Sequence, residues 1–376
     1  MKLAFCLFRY FPYGGLQRDF LRIAEACQRR GHSIDVFTAC WEGDVPACVN
    51  LHQLPVRSLT NHGRSLAFSR ALAARLEGAV YDAVIGFNKL PGLDVYFAAD
   101  PCFVAKVRQK HGFLYRLSNR YRAYAALEKS VFGPESATEI LLISNVEKPH
   151  FIHYYGTAES RFHSLPPGIC RDRIPPDNLT RERCNFRRDL GFTDTANLLL
   201  MVGSGFKTKG LDRSIQALAA LPERVRAATY LLVVGQGDGG PFLRQARKLG
   251  VEDHLKLYGG RDDVPSFLFG ADLLLQPSYY ENTGTAIVEA IVAGLPVLAT
   301  ANCGYAHYVT ESRAGLLVPE PFDQAQFNQI LTRMLTSSEQ VTWRGNALDF
   351  AARADLYSLP EKAADVIESV ALRRQQ

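Results

Sequence analysis

The sequence predicts an α/β protein made of two Rossmann-like, doubly wound parallel-sheet domains. Three observations predict it: short apolar runs alternate with helix-period segments, glycine-rich turns stand at strand ends, and 376 residues exceed a single core. Strand, helix and strand in that rhythm spell parallel βαβ units. At about 100–200 residues per domain, the length allows two or three.

Leu3–Phe8 reads as the first strand. Gly14 and Gly15 then turn the chain into a helix with Leu16, Phe20, Ile23 and Cys27 on one face. Arg29-Arg30-Gly31 ends it, with bases in the last turn and glycine beyond. Ser33–Ala39, Ala83–Phe87, Val95–Ala99 and Glu139–Ser144 supply further strands. The rhythm breaks at Ser164-Leu165-Pro166-Pro167-Gly168, which marks a hinge after an N-terminal domain over 1–165. It restarts with strands Asn197–Gly203, Tyr230–Gly235, Leu255–Leu257, Asp272–Gln276 and Pro296–Ala299, and with helices opening at Leu211 and Phe242, for a C-terminal domain over 166–355. The last segment, 356–376, holds a helix over Pro360–Leu372 that is expected to pack back on the N-terminal domain. Doubly wound domains bind ligands at the carboxyl ends of their strands, so the site is expected in a cleft between the two.

Composition removes several function classes. Net charge is +5, from 43 Lys and Arg against 38 Asp and Glu, too small an excess for a dedicated nucleic-acid binder. No apolar run reaches the length of a membrane span. Met1–Arg9 holds too short an apolar stretch for a signal peptide, and Phe11-Pro12-Tyr13-Gly14-Gly15 replaces a small-residue cleavage site. The eight cysteines are scattered without metal-like spacing, and the chain reads as cytoplasmic.

Three glycine-containing turns carry chemistry. In Phe11–Asp19, the bare backbone of Gly14 and Gly15 lets a ligand reach the N–H groups of a helix start, where the dipole favours phosphate, although any α/β fold uses such turns. It is not GxGxxG, which disfavours a nicotinamide cofactor. In Gly203–Gly210, Lys207 and Lys209 stand among three glycines at a strand end, suited to a phosphate but without P-loop spacing. The most specific is Tyr279–Ala290, with Glu281 and Glu289 eight residues apart around a polar turn. If 283–286 open a helix, the N–H groups around Asn282, Thr283, Gly284 and Thr285 can grip a diphosphate. Glu281 then lies before the helix and Glu289 two turns inside it. Carboxylates are poor phosphate ligands, so both are expected on sugar or ribose hydroxyls. Apolar neighbours around Glu289 point to burial.

The Glu281/Glu289 pair, the Lys209-Gly210 loop and the turn Val233-Val234-Gly235-Gln236-Gly237-Asp238-Gly239 resemble glycosyltransferase family 4, the retaining GT-B enzymes. GGLQRD (14–19), FNKLPGLDVYFAAD (87–100), LPPGI (165–169), GLDRS (210–214), AGLPVL (293–298) and CGYAHY (303–308) are similar, more narrowly, to the branch that starts the lipopolysaccharide outer core. The resemblance runs from Leu3 to Ile367. It implies a GT-B fold and a retaining hexosyltransferase that binds a UDP-sugar mainly on the C-terminal domain and its acceptor on the N-terminal one. Glu289 is then expected on ribose, Glu281 on the sugar, Arg261 near uracil, and Lys209 and Arg173 at the diphosphate, with Gly15 closing from the N-terminal side. Family members usually carry Arg-Lys where this chain has Thr208-Lys209, and Lys207 is a candidate for the missing charge. Asp19 and Asp100 end motif strings and are candidates to orient the acceptor, or else serve as a first-turn charge and a cap. The chain contains no Asp-x-Asp, so neither a metal nor another cofactor is expected.

Between Phe103 and Leu127 lie Lys106, Arg108, Lys110, Arg116, Arg120 and Arg122 with no acidic residue, interleaved with Phe113, Tyr115, Tyr121 and Tyr124. These six charges exceed the whole net charge of +5. At about 1 kcal/mol per cation near an anionic surface, they suit peripheral binding to an anionic membrane, or else form a solvated basic helix; the resemblance implies that the membrane is the inner face of the inner membrane of a Gram-negative cell. The expected partners are therefore a UDP-sugar, a lipopolysaccharide inner-core heptose and that membrane, with a monomer favoured and no nucleic acid. The expected transfer is of glucose, N-acetylgalactosamine or N-acetylglucosamine. Competing readings are a GT-B-fold UDP-N-acetylglucosamine epimerase and a non-catalytic membrane-associated scaffold.

Overall fold

The protein is described from a computed structural model covering residues 1–12, 14–110 and 112–375, the side chain of Lys110 excepted. The chain divides into two compact units, one of residues 1–168 with 358–376, the other of residues 169–357. The first therefore ends at Gly168 rather than 165, and it recovers the chain at Ser358.

The first unit is built on seven parallel strands, β1 (Lys2–Tyr10), β2 (Ser33–Trp41), β3 (Asn50–Gln53), β4 (Ala83–Gly86), β5 (Val95–Ala98), β6 (Glu139–Leu142) and β7 (Phe162–Ser164). Their order is β3-β2-β1-β4-β5-β6-β7, so the chain winds outward in both directions from β1. Register is set early, with Leu3 opposite both Ile34 and Ala83. The central strands are buried on both faces, which is why they read as continuous apolar runs. Edge strands β3 and β7 carry His52, His163 and half-exposed side chains, so neither shows as an apolar run. One face of the sheet packs Phe5, Leu7, Phe20 and Ile23 against Ala363, Ala364, Ile367 and Val370 of the terminal helix Leu359–Arg374. The other face packs Phe37, Phe68, Tyr96, Phe132 and Phe151.

The second unit holds six parallel strands, β8 (Asn197–Val202), β9 (Thr229–Val234), β10 (Leu255–Leu257), β11 (Leu273–Gln276), β12 (Val297–Thr300) and β13 (Gly315–Val318). Their order, β10-β9-β8-β11-β12-β13, repeats the same winding. One face packs Leu199, Ile215, Leu231 and Leu331, the other Leu198, Leu268, Ile287 and Ile291. Fully buried Arg187 and partly exposed Arg183 both pair with Asp272, at 3.2 and 2.5 Å, and Asp272 accepts the Leu198 N–H at 2.8 Å. These ion pairs hold the amino-terminal side of β8 and β11 together, leaving the carboxyl-terminal loops free to carry function.

Candidate active site

Three strand-end loops of the second unit converge. After β8, the turn Phe206–Lys209 runs through Gly210 into helix Leu211–Ala219. After β9 comes Gly235, whose φ of 153° lies in the region that favours glycine. Its N–H donates to the Gly259 carbonyl at 2.8 Å, and a Cβ there would sit 2.3 Å from the Gly203 oxygen. Gly235 is thus the point where the loops after β8, β9 and β10 touch. After β11, residues 277–284 lead to helix Thr285–Val292.

Helix Thr285–Val292 starts two residues later than the sequence suggests, because Gly284 takes a left-handed φ of 86° as its N-cap. The Thr283 carbonyl instead accepts the Tyr305 N–H at 2.6 Å. Glu289 consequently lies about one helical turn inside, not two. It is buried as expected, 3.4 Å from the largely buried Arg173 guanidinium. Glu281 sits before the helix, its side chain 14% exposed, in an ion pair with Lys209, which is 19% exposed. Gln276 Nε2 approaches the same carboxylate at 3.5 Å. Glu281 also bridges to Cys303, and the Gly304 N–H donates to its carbonyl at 3.0 Å. Burial pushes the Cys303 thiol up to about 11, so at neutral pH it is an uncharged neighbour of the pair. The two carboxylates and these two cations named from the sequence thus form two carboxylate–cation pairs, one before helix Thr285–Val292 and one on it.

Other candidates are held differently. Lys207 reaches Asp212 at 2.6 Å and the Tyr279 hydroxyl at 3.4 Å, and the Asp212 hydrogen bond raises its affinity for its proton. Arg261 grips Asp263 through two bonds of 2.6 and 2.7 Å at an exposed position, holding the Asp263 carboxyl below its usual range. Residues that the sequence named but gave no role complete the assembly. Tyr279 donates to Asp212 at 2.7 Å, and Arg213 lies over its ring at 3.7 Å while its other face meets Phe322 at 3.6 Å. Arg213 also donates to the Pro277 and Ser278 carbonyls, both at 3.1 Å. This clamp fastens the loop carrying Glu281 to the loop carrying Lys209. Its members stand 67 positions apart, so no local pattern announces it.

In the first unit, Gly14 caps helix Gly15–Arg29. A Cβ on Gly15 would meet no atom within 4 Å, so nothing in this unit itself demands a glycine there. Asp19 lies 3.7 Å from Arg18. Asp100 follows β5, exposed, at the edge of a cavity. The basic segment folds as helix Phe103–Lys110, a turn Phe113–Leu117 and helix Asn119–Phe132. Lys106, Arg108, Arg120 and Arg122 are exposed and Arg116 is half-buried; the Lys110 side chain lies outside the described residues. Beside them Phe113, Leu114 and Leu117 are 68%, 78% and 55% exposed. An unexpected anchor is Glu128, fully buried, which accepts from the Phe103 and Val104 N–H groups at 2.7 and 3.1 Å, from Lys89 at 2.5 Å and from the Tyr155 hydroxyl at 2.6 Å. No helix of the described residues is long and apolar enough to cross a membrane.

Residues 13–173 match Glycosyltransferase Family 4, and residues 182–347 match the glycosyl transferases group 1. The chain is 49% identical over 98% of its length to the lipopolysaccharide glucosyltransferase WaaG of Escherichia coli K12, covering 98% of that protein. It is 30% identical to a D-inositol 3-phosphate glycosyltransferase of Xylanimonas cellulosilytica over 81% of this chain and 79% of that one. A crystal structure of WaaG, a glycosyltransferase involved in lipopolysaccharide biosynthesis, superposes with a TM-score of 0.93, covering 97% of this chain and 99% of that one at 49% identity. Anabaena Alr3699/HepE in complex with UDP and glucose shares the fold, with a TM-score of 0.74 at 21% identity, covering 98% of this chain and 100% of that one. With two parallel-sheet Rossmann-like units and a relative alike from end to end, the chain belongs to glycosyltransferase family 4 and is a glycosyltransferase of GT-B fold.

Proposed function

We propose that the protein transfers a hexose from a UDP-sugar to an inner-core heptose of lipopolysaccharide, with retention of configuration and without a metal ion. The observation that carries this reading is the paired arrangement of Lys209 with Glu281 and Arg173 with Glu289 around the start of helix Thr285–Val292. In this reading Glu289 accepts hydrogen bonds from ribose hydroxyls and Glu281 from those of the sugar. Lys209 and Arg173 face the diphosphate, joined by the N–H groups around Asn282, Thr283, Gly284 and Thr285. Arg261 lies towards the uracil, and Gly14, Gly15 and Gly235 offer bare backbone. Charge developing on the leaving diphosphate is met by these cations and the helix dipole, a contribution of about 3–4 kcal/mol per donor. Lys207, held by Asp212, is in this reading the reserve cation where Thr208 replaces the usual arginine. Asp19 and Asp100 orient the acceptor.

The name of the Escherichia coli relative favours glucose as the donor sugar. The small, polar Asn282-Thr283-Gly284-Thr285 also suits an N-acetylhexosamine. A membrane-anchored acceptor fits the basic segment, where Lys106, Arg108, Arg116, Arg120 and Arg122 make no ion pair among the described residues and exposed Phe113, Leu114 and Leu117 are suited to the interface. On this reading the protein works in the cytoplasm, peripheral on the inner membrane.

Acceptor-dependent UDP release tests the reading. Release from a UDP-sugar only when a heptose-terminated inner-core acceptor is added is the expected result. Interconversion of UDP-sugars without acceptor would establish the epimerase instead, and neither reaction would leave a scaffold. A thermal-shift panel of UDP, UDP-glucose, UDP-N-acetylglucosamine and UDP-N-acetylgalactosamine identifies the donor.

A further inference from the structure

Strand β11 ends its apolar run Leu273-Leu274-Leu275 on a polar residue, Gln276, which is fully buried. Its backbone is fixed from the loop after β12. The Thr300 hydroxyl reaches the Gln276 and Ser278 carbonyls at 3.4 and 3.2 Å, and Asn302 Nδ2 donates to the Ser278 and Tyr279 carbonyls, both at 3.2 Å. The carboxamide nitrogen of Gln276 donates to Ser278 Oγ at 2.9 Å and reaches the Glu281 carboxylate at 3.5 Å. Its carboxamide oxygen is buried and has no hydrogen-bond partner among the described residues. A buried acceptor left unpaired costs stability, and a methionine of similar length would avoid that cost. Packing alone therefore gives no reason for a glutamine at this place, whereas the contact with Glu281 does.

Among the described residues two side chains donate to the Glu281 carboxylate, Lys209 and Gln276. We propose that Gln276 is a positioning residue for the donor sugar: it keeps the Glu281 carboxylate aimed at the sugar hydroxyls once Lys209 turns to the diphosphate. The inference rests on the donor-binding reading above. A carboxylate that loses its ammonium in a partly enclosed site is driven to swing towards water or to take up a proton, and either change ends its use as an acceptor. The amide opposes both, and being uncharged it is not drawn away by the diphosphate. Its two N–H hydrogens can serve Ser278 and Glu281 together. The 3.5 Å contact is about half an ångström longer than an ordinary N–H···O bond, so it has room to tighten as the ammonium leaves.

The test uses the full chain with UDP, UDP-glucose and UDP-N-acetylgalactosamine, and binding is read by calorimetry. Gln276→Met keeps the length of the side chain and removes the donor. Its affinity for whichever UDP-sugar wild type binds more tightly is expected to fall about three- to tenfold, with UDP affinity unchanged and a thermal midpoint equal to or above that of wild type. A glutamine that served only to hold the loop would lower the midpoint and weaken UDP and UDP-sugar alike. In a Glu281→Gln background the same substitution is expected to change UDP-sugar affinity by less than about twofold, because its effect passes through Glu281. Gln276→Leu, also without a donor, is expected to show the same split and keeps the test decisive if Gln276→Met fails to fold. An unchanged ratio of UDP-sugar to UDP affinity, or an equal loss in the Glu281→Gln background, would overturn the proposal. So would failure of both variants to fold, which would make Gln276 structural. Failure of wild type to bind either UDP-sugar would overturn the donor-binding reading and this proposal with it. Acceptor-dependent UDP release by wild type, measured on the same preparation, reports separately on transfer.

Discussion

The Lys209–Glu281 ion pair joins two groups that the proposed reaction separates. In the structure the ammonium neutralises a carboxylate, so neither charge sits unpaired in a partly buried site. In the proposed reaction the cation serves the diphosphate and the carboxylate the sugar, so the donor breaks one pair and satisfies both halves. Lys209→Ala is therefore expected to lower turnover by about 10²–10³, measured as UDP release at saturating donor and acceptor. Wild-type-like turnover in that variant would remove Lys209 from the role. Glu281, Glu289 and Lys209 stood out in the sequence through the eight-residue spacing of the carboxylates and the glycines beside the lysine. Their pairing did not: the Arg173–Glu289 pair joins residues far apart in the chain, and no local spacing encodes it.

At the scale of elements, two assemblies govern the loops. The Asp212–Tyr279–Arg213 clamp holds the Glu281 loop in register with the Lys209 loop. A hydrogen bond to a charged group is worth about 1.5–3 kcal/mol. Tyr279→Phe removes it and keeps the ring on Arg213. Donor affinity is expected to fall about tenfold, read by UDP-sugar titration, with the fold retained by circular dichroism. The second assembly is the basic helix–turn–helix. The protein is expected to co-sediment with anionic vesicles at low salt and not with neutral ones. Replacing Arg116, Arg120 and Arg122 by Gln is expected to remove about 3 kcal/mol of attraction at most, enough to release it. Equal binding of wild type to both vesicle types would refute an electrostatic anchor. The central strands were readable because burial on both faces writes an apolar run. The edge strands β3 and β7 were missed because half-exposed positions write none, and β13 because its apolar run spans only Gly315–Val318. The start of helix Thr285–Val292 was misplaced because a left-handed glycine, rather than a polar side chain, caps it.

At the scale of the molecule, the alternation of strands and helices carried the two-sheet architecture, and the proline-rich break located the change of unit near Gly168. What the break did not disclose is how firmly the last helix belongs to the first unit. Leu359–Arg374 buries Leu359, Ile367 and Val370 against Phe20 and Ile23, and such side chains contribute about 1.5–3 kcal/mol each when fully buried. Arg30 adds bonds to Asp365 and Glu368, both at 2.9 Å. The sum is comparable with the about 5–15 kcal/mol that holds a typical domain together. Deleting 358–376 is therefore expected to unfold the first unit, with limited proteolysis leaving a protected fragment near 169–357. Survival of both units would show the helix to be dispensable. The same docking sets a timetable for synthesis. The sheet of the first unit is finished by residues synthesised only after the whole of 169–357. Until then the apolar face around Phe20 and Ile23 waits uncovered, and a ribosome stalled before helix Leu359–Arg374 holds a nascent chain whose earlier unit is less finished than the later one.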